Sequence, residues 1–164
     1  MTAERKFPKS LTQADFQLIA DHCYDVTRKI VRRKRSVKPV CIAGTVEDGK
    51  VVVQLSTHVP METEHDKEMV PFVMEALVLH ADFDFVVHIC EAWTAPVKDG
   101  VLPQGSLANH PKRQEIVVFN IMSKDCQTVV INPLHRNPSR LKPGKVDFSL
   151  KVRGRMVRDP ETKH

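Results

Sequence analysis

Aromatic side chains are scarce: one Trp, one Tyr and seven Phe make up 5% of the 164 residues. The core must therefore rest on Val, Ile, Leu, Met and those Phe. Only six Gly are present, too few and scattered to cradle phosphates. No Gly-x-Gly-x-x-Gly or Walker loop occurs, so no cofactor is expected. The four cysteines, Cys23, Cys41, Cys90 and Cys126, lie far apart in different apolar segments. None sits in a Cys-x-x-Cys pair, which argues against a disulfide framework or a zinc ribbon. They read as small buried hydrophobes. The histidines show neither His-x-His nor His-x-x-x-His spacing, no metal site is expected, and no serine occupies a Gly-x-Ser-x-Gly elbow. No apolar run approaches the ~20 residues that cross a bilayer. Residues Met1–Lys6 carry no apolar stretch of the secretory-signal kind, so a cytoplasmic location is expected.

What is present is an ordinary globular balance, 41% hydrophobic and 27% charged, with a net charge of +5. A chain of this length suits one domain with a single core. Residues 1–10 are polar and expected to be disordered, 11–153 to form one α+β domain, and 154–164 to be a loose basic tail. Charge is distributed unevenly. Arg28, Lys29, Arg32, Arg33, Lys34 and Arg35 form one basic run; Arg140, Lys142, Lys145, Lys151, Arg153, Arg155 and Arg158 form another. Between them, from Glu62 to Glu91, every charged residue is Asp or Glu except Lys67. Such polarity suits binding a polyanion on one face, self-association of opposite patches, or intramolecular neutralisation.

Thr12, with Asp15 three positions on, marks a helix start, and Phe16, Ile19, Cys23, Val26 and Ile30 recur at helical spacing. A helix is predicted from about Thr12 to Lys34. Val37–Val46 and Val51–Val59 flank Asp48-Gly49, a strong hairpin signal, with Pro39 delaying the first strand. The acidic segment Glu64–Glu68 leads into a second helix. Pro71 places its regular part from about Val70, with Met69, Phe72, Val73, Ala76, Leu77 and His80 on one face. Asp82 and Asp84 mark the exit into a strand, Phe85–Trp93. Ala95–Asn109 reads as a long loop, Glu115–Met122 and Gln127–Asn132 as a hairpin, and Pro133–Gly144 as irregular. Val146, Phe148, Leu150 and Val152 alternate as a last strand. The order α-β-β-α-β-β-β predicts an α+β fold: a largely antiparallel five-stranded sheet with helices on one face. That order is similar to roadblock and profilin-like domains, in which such a core supports binding more often than catalysis.

Ionisable groups gather at one end of this sheet. Phe85, Val87, Ile89, Glu91 and Trp93 point one way, so Glu91 interrupts an apolar face and needs a partner. Arg113 or Lys112 is the expected one, Arg as a bidentate contact and Lys as a point charge. The pattern Glu91-Ala92-Trp93, a loop, then His110-Pro111-Lys112-Arg113-Gln114-Glu115 and an apolar strand resembles a group of uncharacterised bacterial and phage-borne proteins. The resemblance runs from about Phe85 to Ile131 and brings no activity with it. It implies that Glu91, Trp93, His110, Arg113 and Glu115 form one cluster.

Three functions fit these residues. The first is a non-enzymatic binding domain whose contact surface is that cluster, for a protein partner (including a second copy) or a polyanion. The second is nucleic-acid binding through Arg32, Arg33, Lys34, Arg35, Arg153 and Arg155, which lack interleaved aromatics for base stacking. The third is a Mg²⁺-dependent nuclease or phosphoesterase centred on Glu91, with Asp82, Asp84 and Glu115 as further oxygen ligands. The binding domain, without membrane contact, is the expectation carried forward.

Overall fold

Thr12 begins the first helix with a reciprocal cap. Its hydroxyl accepts from the Asp15 N–H at 3.1 Å while the Asp15 carboxylate accepts from the Thr12 N–H at 2.9 Å. Two of the helix's orphan donors are thereby satisfied. The structure, a computed structural model, describes residues 10–33, 36–95, 111–136 and 138–146. Helix α1 (Gln13–Arg32) buries Phe16, Ile19, Ala20, Cys23, Thr27 and Val31. Val26, expected to face inward, is exposed. It falls at the edge of the stripe, and Thr27 takes the inner position.

Strands β1 (Val40–Glu47) and β2 (Lys50–His58) form the expected hairpin. Asp48 and Gly49 take φ values of 50° and 71°, the consecutive left-handed pair of a primed turn. β1 begins directly after Pro39, which cannot donate to a ladder. The pairing shifts by one at Ala43/Gly44, leaving Gln54 of β2 as a bulge. A β-carbon on Gly44 would run into the Val52 carbonyl, so this position admits only glycine.

Helix α2 (Glu64–His80) starts about two turns' worth of residues earlier than Pro71 alone predicts. Thr63 and Asp66 form a second reciprocal cap, which places Pro71 inside the helix. There it withholds an N–H from the Lys67 carbonyl. Pro71→Ala is accordingly expected to raise stability by about 1 kcal/mol or more, read from urea midpoints. An unchanged or lower midpoint would show that Pro71 fits a bend the packing requires. The buried face also differs from expectation. Val70, Met74 and Val78 meet the sheet, while Met69 and Phe72 face outward.

Strands β3 (Phe85–Thr94), β4 (Gln114–Met122), β5 (Gln127–Arg136) and β6 (Ser139–Leu141) complete an antiparallel sheet in the order β2-β1-β3-β4-β5-β6. The fold is α+β, and its element order roughly matches the one the sequence suggests. Two corrections concern its layers. The sheet has six strands, because β5 continues through Pro133 to Arg136 and pairs with β6 in a stretch read as irregular. The helices cover opposite faces rather than one. Phe85, Val87 and Ile89 join the cluster under α1, whereas the intervening Val86 joins Val70, Met74 and Val78 of α2. β3 is apolar at every position from Phe85 to Val87, which a strand covered on both faces requires. The expected loop over 95–109 and the last strand, together with the proposed disordered start and basic tail, lie largely or wholly outside the described residues. Among the described residues, no helix is long and apolar enough to cross a membrane.

Asn132 secures the passage through Pro133. It is buried, its amide nitrogen donates to the Val117 carbonyl at 3.0 Å, and its amide oxygen accepts from the Gly144 N–H at 2.8 Å. The side chain thus spans from the sheet to the segment after β6 at the place where proline lacks a donor.

Candidate functional site

The α1 face of β3 leaves the core at Glu91, two positions beyond the buried Ile89. Register places Glu91 opposite Val117 and Trp93 opposite Glu115 on β4, so Glu91, Trp93 and Glu115 share one face. Strand alternation carries Arg113, just before β4, to the same side. On β5 the same parity runs Val130, Asn132, Leu134, Arg136. Five candidate side chains therefore converge at one rim of the sheet, beyond the part that α1 covers.

Arg136 is the centre of this arrangement. Its Nε donates to Glu115 Oε2 at 2.6 Å and its Nη2 to Glu91 Oε2 at 3.3 Å. The other Glu91 oxygen accepts the Val37 N–H at 2.8 Å. One carboxylate thereby ties the segment following α1 to the sheet and to β5. Burial opposes the charge on Arg136, but its hydrogen bond with Glu115 and the charges of Glu115 and Glu91 outweigh it, holding the guanidinium more firmly protonated. Arg113 does not pair with Glu91 as expected. Its guanidinium lies 4.9 Å from the centre of the Trp93 ring, a cation–π stack. Glu91's cation comes instead from Arg136, which the sequence reading missed by ending that strand at Asn132. The signal was available in the even-numbered alternation running on to Arg136.

The structure thus brings together Glu91, Trp93, Arg113 and Glu115, and adds Arg136; His110 lies outside the described residues. The formal charges of Glu91, Glu115, Arg113 and Arg136 cancel. No strong field of either sign arises from these four, and the exposed apolar element is the indole, 37% accessible, stacked with the exposed Arg113 guanidinium.

The carboxylates of the nuclease reading do not converge. Asp84 is buried, accepts the Val46 N–H at 3.1 Å, and donates its own N–H to the Gly44 carbonyl at 2.8 Å. It closes the sheet beside the bulge. Seven residues at ~3.3 Å each put it on the order of 20 Å along β3 from Glu91. Among the described residues, no three His, Cys, Asp or Glu side chains are placed to hold a metal ion. Of the basic residues named for nucleic acid, Arg32 and Arg33 are exposed at the C-terminal end of α1, where cations complement the helix dipole. Lys34, Arg35, Arg153 and Arg155 lie outside the described residues.

Below the opposite face, His88 is fully buried with neither ring nitrogen hydrogen-bonded among the described residues. Burial lowers its pKa to about 4. Cys41 stands directly across on β1 and Asn120 across on β4. The Asn120 oxygen is occupied by Gln127, whose amide donates to it at 2.7 Å. Burial raises the thiols too, Cys23 and Cys41 to about 12 and Cys90 to about 11. Such thiols are poor nucleophiles near neutral pH.

No protein family, curated protein or solved structure matches this chain.

Proposed function

We propose that the protein is a binding domain, not an enzyme, and that it engages a protein partner through the rim where Trp93 stacks under Arg113. One observation carries this reading: the chain's single Trp is left 37% accessible yet held in place by a stacked guanidinium. Its cross-strand neighbour Glu115 is fixed in turn by Arg136. Trp and Arg dominate interface hot spots because each offers large contact area at small entropic cost when already ordered. The cancelling charges around it suit a protein surface better than a polyanion, which requires an uncompensated positive patch. The Glu91 contact to Val37 keeps this rim in register with α1, so the surface is rigid before contact.

The test is site-specific photo-crosslinking in cells, with a benzophenone side chain at exposed position 112, beside Arg113, and, as a control, at Lys50 on β2. An adduct of defined mass from position 112, absent from position 50 and abolished by Trp93→Ala, is the expected result. Once the partner is purified, Trp93→Ala is expected to weaken binding about 30-fold, the cost of a hot-spot residue of about 2 kcal/mol. Unfolding midpoints near wild type show that the fold persists. Equal adducts from both positions, or none, would remove the reading. Because this chain has one Trp, indole emission reports this site alone on titration with a partner that lacks Trp.

A further inference from the structure

Helix α2 has a second apolar stripe that is exposed among the described residues. At 3.6 residues per turn, Met69, Phe72, Ala76 and Leu79 lie opposite the Val70–Met74–Val78 stripe that meets the sheet. Phe72 is 52% exposed, Leu79 46% and Met69 41%. A helix apolar on both sides is ordinarily covered on both. Glu64, Glu68 and Glu75, all exposed, run along one flank. At its C-terminal end the stripe opens into a groove of about 320 Å³ between α2 and the β4–β5 turn, where Glu75 and Leu79 face Met122 and Cys126. The ligand this surface fits carries apolar side chains interleaved with cations.

The chain contains such a sequence. In residues 147–164, Phe148, Leu150, Val152 and Met156 alternate with Lys151, Arg153, Arg155 and Arg158. We infer that the outer stripe of α2 binds the 147–158 segment of a second copy, the apolar residues on Phe72 and Leu79 and the cations on the acidic flank. A second copy is favoured over the chain's own segment by position. Val146, the last described residue, packs with the cluster under α1, on the face of the sheet opposite α2. Reciprocal exchange about a two-fold axis closes the assembly as a dimer with two such contacts. A symmetric α2–α2 contact fits less well, because the antiparallel pairing would set the two acidic flanks on the same side. This surface lies on the other face from Trp93, so it stands whether or not the rim binds a partner.

Sedimentation velocity on the full chain tests it. The expected mass is twice 18.6 kDa at low ionic strength, falling toward monomer near 1 M salt, where screening shrinks to about 3 Å. Phe72→Asp, on an exposed position, is expected to weaken the dimer about 30-fold. Paired substitutions Glu68→Lys/Glu75→Lys and Arg153→Glu/Arg155→Glu are each expected to yield monomer. Mixing these two variants restores both contacts, one of wild-type charge and one with the charges exchanged, and is expected to recover a heterodimer, which a merely structural role would not produce. Three outcomes overturn the inference. One is a monomer at every concentration. Another is a dimer lost with Phe72→Asp but kept with Arg153→Glu/Arg155→Glu, which would assign the contact to α2 alone. The third is a dimer indifferent to Phe72→Asp.

Discussion

Lowering the pH from 7 to 4 is expected to cost the fold about 3 kcal/mol through His88 alone. The arithmetic rests on linkage. His88 titrates near 4 when folded and near the ordinary 6.5 when unfolded. Between these values the unfolded chain takes up a proton that the native state refuses. Stability is therefore full above pH 6.5 and is lost as the pH falls toward 4, at about 1.4 kcal/mol per unit. The cause is specific: a fully buried ring in which neither nitrogen has a partner among the described residues. Thr45, Asn120, Thr128 and Asn132 are buried too, but His88 is the one of these polar groups that titrates. His88→Leu removes the orphaned atoms at similar volume. It is expected to gain about 1 kcal/mol at pH 7, the desolvation cost of an unmet polar group. More diagnostically, it should flatten the slope of stability between pH 6.5 and 4. Urea unfolding at several pH values supplies both numbers. A wild-type slope no steeper than that of His88→Leu would show that the imidazole finds a partner or solvent.

Removing Arg136 is the second large effect. Arg136→Met keeps most of the stem's packing and deletes both ion pairs, leaving Glu91 and Glu115 facing each other without the cation between them. Exposed pairs are worth 0–1 kcal/mol and breaking a buried pair costs about 3–5. With side chains 28–38% accessible, this network lies between those limits. The expected loss is about 2 kcal/mol. Glu91→Gln should cost less, because an amide oxygen still accepts the Val37 N–H. In the Arg136→Met background, Glu91→Gln is expected to recover part of the loss by removing one uncompensated charge. A double-mutant cycle across these two positions measures the coupling. Additive losses, or an Arg136→Met midpoint within about 0.5 kcal/mol of wild type, would reduce the network to surface decoration. The emission of Trp93 separates local from global change, since the cation stacked on the indole is Arg113 rather than Arg136.

Period and punctuation made much of this molecule readable in advance. Thr12 with Asp15, Asp48 with Gly49, and the unbroken Phe85–Ile89 run are local instructions. The backbone answers them with a cap, a primed turn and a doubly covered strand. The grouping of Glu91, Trp93, Arg113 and Glu115 was also legible, because strand parity and a hairpin-like return put them on one side of adjacent strands. Where local rules conflict with packing, the reading went astray. Proline at 71 and at 133 each argued for an end. The first is overridden by the Thr63 cap and the burial of Val70, Met74 and Val78. The second is overridden by the Asn132 amide, which supplies a donor and an acceptor beside the residue that lacks an N–H.

The amino-acid order was enough to specify an α+β chain, its strand faces and a half-polar rim ending in the single indole. Which cation meets Glu91, which face each helix covers, and which stripe of α2 is left bare were settled only when the strands assembled. These outcomes depend on long-range register: Arg136 lies 45 residues from Glu91 in sequence, and nothing local to either residue encodes their pairing. A one-residue slip in β5 would turn the guanidinium to the other side of the sheet.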